Sequence, residues 1–359
     1  MLDTFFGLTC EDILDVDAVK KHLQDFFSSK PMVLIGSGLS LGEGISGMWQ
    51  LSQHLKDKIP SLVSGDLLEE WKEVESKIDL NIGFEDAMAS LSPDSELIEH
   101  IVSETALLIV SDEKEIIKSV IVQEKQLSFS PLLRHLLFNQ DELVVVTPNY
   151  DRLIELACES SGLDIITGFN SYYCGEHAPD NEKNKIRVLD RNVGVSGKVT
   201  VRTSFKKHVK IFKPHGSLDW YEINGKVVRT QSDIDARRLI ITPGTSKFRE
   251  GYQRPFDYHR ESANQYIQKS KAILIIGYGF NDEQLEVQLL KKLQEGIPAL
   301  VITKVLSANA IKICTDLDNV TLVSVGENDS ETIVNINGIE TKHNAKWWSL
   351  ADFIDGVLE

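Results

Sequence analysis

The sequence is poor in cysteine. Its four, Cys10, Cys158, Cys174 and Cys314, are far apart and form no C-x-x-C pair, so neither a zinc knuckle nor a disulfide framework is encoded. It has no run of 18 or more apolar residues, the length a membrane-spanning helix needs. Its start, Met1-Leu-Asp-Thr-Phe-Phe, has no basic stretch ahead of an apolar one, so no signal peptide is read and a cytoplasmic location is expected. Basic charge is short as well. Lys plus Arg number 38 against 54 Asp plus Glu, and the net charge of −16 repels a polyphosphate backbone. Direct nucleic-acid binding and membrane association are therefore not expected. Apart from His215, the histidines form no H-E-x-x-H or H-x-x-E-H arrangement, so no metal site is predicted.

What the sequence does contain is material for a sizeable core: 42% of its 359 residues are hydrophobic and 26% charged, enough for one large domain or two. Short Val/Ile/Leu runs recur, each followed by a turn and a helical pattern, as in strands buried on both faces. They are Met32–Gly36, Leu143–Thr147, Val209–Lys213, Leu239–Thr242, Ala272–Gly277, Ala299–Thr303 and Val320–Val325. The expected fold class is α/β, a Rossmann-like doubly wound, mostly parallel sheet holding all seven. Residues 1–30 read as an N-terminal helical segment, 31–325 as the main domain and 326–359 as a C-terminal tail and helix, with Trp347-Trp348 packing that helix or forming an oligomer contact. Within the main domain, residues 50–140 read as a helical insertion, and 172–205 as a polar one with a hairpin between Val188 and Val201. No repeat or low-complexity tract appears.

Three segments carry the chemistry. Gly36-Ser-Gly38-Leu-Ser40-Leu-Gly42-Glu-Gly44-Ile-Ser-Gly47 follows the first strand directly and opens a helix, placing backbone N–H groups where a pyrophosphate can sit. The spacing is G-x-G-x-x-x-G rather than the dehydrogenase fingerprint, and Met48-Trp49 stand where a Walker A loop has Lys and Ser/Thr. A tight strand-to-helix turn that needs small residues is the plainer reading. The other two segments are strand tips: Thr147-Pro-Asn149-Tyr-Asp151-Arg-Leu-Ile-Glu155, and Lys213-Pro-His215-Gly-Ser217-Leu-Asp219-Trp220. Pro148 ends strand pairing and presents Asn149 from a fixed turn. Asn149 and Asp151 suit ligand contact or N-capping of the following helix, and His215 suits proton transfer or a turn hydrogen bond.

In order, these segments, followed by Gly277-Tyr278-Gly279-Phe280 and Thr303-Lys304, resemble the glycine loop, T-x-N-x-D turn, H-G turn and late ribose-contacting loops of the sirtuin-like NAD-binding family. The likeness spans about residues 25–315. It is strongest to the bacterial branch of NAD-hydrolysing antiphage defence proteins, with their T-x-N-Y-D-x-L-I-E, K-x-H-G-S-x-x-W and G-Y-x-F-x-D forms. The resemblance implies an NAD+ glycohydrolase that depletes NAD during abortive infection, with Asn149 and His215 catalytic and no metal required. It implies NAD contacts from Gly36, Ser37, Gly38, Ser40, Asp151, Gly277, Tyr278, Gly279, Phe280, Thr303 and Lys304. Thr242-Pro-Gly244-Thr-Ser246-Lys247 resembles a segment bordering the pocket, and Phe84-Glu-Asp86 a helical position of the branch. Control by homo-oligomerisation, or by a partner such as a HerA-type ATPase or an Argonaute-like protein, is implied too. The sequence departs from the deacylating branch: Ser37 replaces the usual alanine, Gly47-Met-Trp49 stand where D-F-R is usual, and the zinc cysteines are missing. Protein deacylation is therefore not expected. A module that senses NAD or ADP-ribose without turnover is the alternative.

Overall fold

The computed structural model describes residues 15–80, 84–89, 91–92, 94–138, 140–170, 173–193, 199–242 and 254–359. The chain divides into two units, Met1–Leu39 with Leu127–Val146 and Ser262–Glu359, and Ser40–Gln126 with Thr147–Glu261.

The first unit is built on parallel strands in the order Glu142–Val146, Met32–Ile35, Ile273–Ile276, Ala299–Ile302 and Val320–Val325. The three in the middle are buried at every residue. Near-continuous Val/Ile/Leu is what a parallel strand covered on both faces requires, and these five coincide with expected runs of the α/β, mostly parallel class. Strand order reverses at Met32–Ile35: the chain's next strand lies on one side of it, and Ile273–Ile276 with its two successors on the other. The switch point is therefore outside the carboxyl ends of Met32–Ile35 and Ile273–Ile276, where open α/β sheets take ligands.

Two antiparallel strands, Thr332–Ile336 and Ile339–His343, follow Val320–Val325. Their turn is Asn337-Gly338 with φ of 53° and 77°, the backbone that a tight two-residue hairpin demands. The first helix, Val16–Phe27, buries Val19, Leu23 and Phe26 at helical spacing and is capped by the Asp15 side chain. Near the end of the chain, Trp347, Phe353, Ile354 and Val357 are all buried.

In the second unit the helices Met48–Leu62, Asp66–Asp79, Phe84–Met88 and Leu97–Val122 share one core. Leu51, Leu55 and Ile59 recur every fourth residue along the first of them, and meet Trp71, Val74, Phe84, Met88 and Ile101. Phe84 therefore serves packing. The remainder is β. His208–Phe212 pairs in parallel with Asp164–Ile166, and Arg187–Val193 pairs with Val199–Phe205 as the antiparallel hairpin expected in the polar insertion. A four-stranded antiparallel sheet has the order Arg237–Ile240, Gly216–Ile223, Lys226–Thr230, Cys174–Glu176.

That sheet corrects one expectation. The run at Leu239–Thr242 supplies a strand that pairs antiparallel with Gly216–Ile223, not a member of the doubly wound sheet. Only six residues, 231–236, separate it from Thr230, too few for the crossover a parallel strand needs. Among the described residues no helix is long and apolar enough to cross a membrane.

Candidate functional site

The two polar strand tips and Ser40 all belong to the second unit. Thr147 continues past Glu142–Val146, its backbone N–H donating to Phe212 O at 2.9 Å. Its hydroxyl oxygen then accepts from the Asn149 N–H at 3.1 Å, which fixes the turn around Pro148. Asn149 Nδ2 donates to Ser40 Oγ at 2.9 Å, and Ser40 Oγ donates to Asp151 Oδ2 at 2.7 Å. A serine hydroxyl has one hydrogen. With that hydrogen spent on the carboxylate, Ser40 can only accept from Asn149, so the amide is held with Nδ2 toward Ser40 and its carbonyl Oδ1 on the opposite edge. The remaining Asp151 oxygen, Oδ1, accepts from Leu153 N at 3.2 Å at the start of the helix Leu153–Ser160. Asp151 therefore steadies the backbone that enters the helix and orients Ser40 at once, while the N-cap position itself falls on Arg152.

The second tip turns at Gly216, whose φ is +85° and where a Cβ would lie 2.1 Å from Leu239 O; only glycine fits. Gly216 N donates to Lys213 O at 3.0 Å and His215 O accepts from Ile241 N at 2.9 Å, so the buried His215 sits in a fixed turn. The tips are joined to each other. Leu218 N donates to Tyr150 O at 3.0 Å, and Tyr150 Oη donates to Ile241 O at 2.6 Å.

Beneath them lies a buried group of charges that the sequence reading did not identify. Lys213 is 1% exposed; its ammonium donates to Asp151 O, to Glu155 Oε1 at 3.2 Å, to Ser217 Oγ at 3.2 Å and to Tyr150 O at 3.5 Å. Arg152 donates to Glu113, a fully buried carboxylate of the helix Leu97–Val122, from its backbone N and its guanidinium. Burial works against the Arg152 charge, but Glu113, Asp219 and Glu155 together outweigh it and hold the guanidinium above its ordinary pKa. Asp219 accepts from Arg229 Nε at 2.6 Å and from Gln231 Nε2 at 3.1 Å. Burial pushes its carboxyl up, yet Arg229, Arg152 and Lys213 together bring it down to about 2. His259, fully buried, accepts from Lys213 N on Nδ1 at 3.2 Å and is driven well below the usual imidazole range by burial, with His177 and Lys213 adding to it. It is neutral, with its proton on Nε2. The available signal was position: Lys213 and Glu155 each follow an apolar segment within a polar tip.

The other predicted contact residues lie in the first unit, at the switch point. Gly36 N donates to Ile276 O at 2.9 Å and Gly38 N to Gly277 O at 2.9 Å. A Cβ on Gly36 would lie 2.4 Å from Gly277 O, and one on Gly277, at φ +57°, 2.6 Å from Leu39 N. Backbone packing thus requires glycine at both positions, as a tight strand-to-helix turn does. Ser37 and Gly38 are exposed at the start of the helix Ser37–Glu43. Tyr278 and Phe280 are buried with ring centroids 5.3 Å apart, and Gly279 O accepts from Ser307 Oγ. Asp282 caps Glu283–Gln294. Thr303 Oγ1 donates to Val305 O at 3.2 Å. The Lys304 ammonium is turned to Asp329 at 2.9 Å and lies 4.9 Å from the Trp348 ring centre. Ser246 and Lys247 lie outside the described residues. Among the described residues no group of His, Cys, Asp and Glu is placed to hold a metal ion.

Comparison with known proteins gives three findings. No curated protein matches the chain. Two solved structures align, one described as "Structural Basis for the Mechanism and Regulation of Sir2 Enzymes" at 10% identity, TM-score 0.38, over 85% of this chain and 90% of that one. The other, "Sir2 bound to acetylated peptide", aligns at 12% identity, TM-score 0.37, over 94% and 96%. Residues 143–307, which contain both strand tips, match the family model described as SIR2-like domain.

Proposed function

We propose that the protein is an NAD+ glycohydrolase, cleaving the nicotinamide–ribose bond to give nicotinamide and ADP-ribose. The carrying observation is the Asn149–Ser40–Asp151 chain, whose Asn149 and Asp151 stand at a strand tip inside the SIR2-like segment. The reaction passes through an oxocarbenium-like state at the ribose. Nicotinamide is a cation while attached and leaves neutral, taking the bonding electron pair, so the leaving group needs no proton. Water adds to the ribose carbon and must lose one. The demands are therefore one base and one group to orient a hydroxyl or the water. His215 suits the first, because an imidazole nitrogen can accept the proton that the water loses. The fixed Asn149 carbonyl suits the second, because it accepts a hydrogen bond without changing charge. Gly36, Ser37, Gly38 and Gly277–Phe280, at the switch point, are assigned to the dinucleotide, with Thr303 and Lys304 at its ribose.

The biological setting we assign is NAD depletion in bacterial antiphage defence, on the likeness of Thr147–Glu155 and Lys213–Trp220 to that branch. Such an activity has to be restrained, so control falls to self-assembly or to a partner such as a HerA-type ATPase. Nicotinamide release from NAD, measured at several protein concentrations, tests the reading. Release that rises steeply with concentration is the expected result. Tight NAD binding with no release, even in the assembled state, would favour the sensor alternative.

A further inference from the structure

Resting on that reading, we propose that Lys213 is a positioning residue that sets the geometry of both strand tips from a single buried ammonium. An ammonium is costly to bury unless fully paired, and Lys213 has four acceptors. They are unequal in meaning. Tyr150 O and Asp151 O are backbone carbonyls of the turn that presents Asn149 and the carboxylate holding Ser40. Glu155 belongs to the helix that this turn starts. Ser217 lies two residues beyond His215, and its hydroxyl also contacts Tyr150 O at 3.4 Å. The Lys213 main chain binds on both sides of the residue, its O accepting from Gly216 N and its N donating to His259 Nδ1. One side chain thus links the Asn149 turn to the His215 turn. Its ammonium is enclosed by these acceptors, so its part is to hold the two groups and not to transfer a proton.

The claim separates from simple stability because the Asn149 and His215 turns should loosen together, and because turnover should suffer more than binding. The test combines amide hydrogen exchange with steady-state kinetics on the full chain carrying Lys213→Met, which keeps the volume and removes the charge. Exchange in peptides covering 147–156 and 213–218 is expected to quicken by about tenfold or more relative to wild type. Peptides covering Ala299–Ile302 should be unchanged. For NAD cleavage, kcat is expected to fall by about tenfold or more, while KM stays within about threefold.

Unchanged exchange in both segments would overturn the proposal whether or not the protein cleaves NAD, as would a folded variant with kcat within twofold of wild type. Absence of cleavage by wild type defeats the glycohydrolase reading alone, and exchange still decides the role of Lys213. If Lys213→Met does not fold, Ser217→Ala removes one acceptor and the contact to Tyr150. Faster exchange in both turns is then expected, and exchange equal to wild type would refute the linkage.

Discussion

Ser40 has two jobs in one hydroxyl: it gives its hydrogen to Asp151 and accepts the amide of Asn149. Ser40→Ala should therefore remove one hydrogen bond that orients the Asn149 amide without disturbing the backbone. A hydrogen bond of this kind is worth about 1 kcal/mol, so kcat for NAD cleavage is expected to drop roughly five- to tenfold with the melting temperature little changed. Kinetics beside a thermal melt would show it. A variant as active as wild type would remove Ser40 from the account. At this scale the sequence was partly legible: Asn149, Asp151 and His215 stand out because polar residues directly past buried strands have few other reasons to be there. Lys213, Arg152, Glu155 and Glu113 did not stand out. Charged residues are common, and only burial, which depends on the packing of segments distant in sequence, distinguishes a structural charge from a solvated one. Glu113 lies 39 positions from its partner Arg152.

At the level of elements, the spacing of the glycine loop suits a phosphate cradle or a tight turn, and packing against Gly277 accounts for Gly36 and Gly38. Gly277→Ala tests that packing: it places a Cβ 2.6 Å from Leu39 N at a positive φ and is expected to destabilise the fold by about 2 kcal/mol or more. A lower urea midpoint with an unchanged slope would register the loss. Stability equal to wild type would show that the loops are not so closely apposed. Five buried parallel strands were legible because coverage on both faces calls for near-continuous Val/Ile/Leu in short runs. Two hairpins were missed although each carries an Asn-Gly turn, Asn224-Gly225 with φ of 52° and 72° and Asn337-Gly338 with 53° and 77°. Their flanking strands mix charged and apolar residues, as in Lys226–Thr230 and Ile339–His343, which conceals the alternation unless the turn is read first.

For the whole molecule, His22, His135, His177, His259 and His343 all have pKa values below the usual imidazole, with burial the leading cause in each; His177 is brought down to about 4. The unfolded chain binds protons on these rings before the folded one does. Their contribution to stability is thus complete above about pH 6.5 and lost as the pH falls below it. Between pH 7.5 and 5 the contribution of His177 is expected to fall by at least about 1.4 kcal/mol, the worth of one unit, while Glu113, Glu159 and Glu182, whose carboxyls burial raises, act the other way. Urea titrations of wild type and His177→Gln at the two pH values would measure it, and a stability difference between them that does not change with pH would contradict it. Asp219 acts in the same direction at lower pH, its stabilisation present above about 3.8 and lost as the pH falls through about 2.

At this scale the proposed function rests on Asn149 and His215 acting together. The most direct measurement is nicotinamide release from NAD by wild type, Asn149→Ala and His215→Ala under the same conditions. The account predicts release by wild type and a loss of about a hundredfold or more in each variant, as removal of a base or an orienting group gives. Wild-type rates in both variants would contradict it.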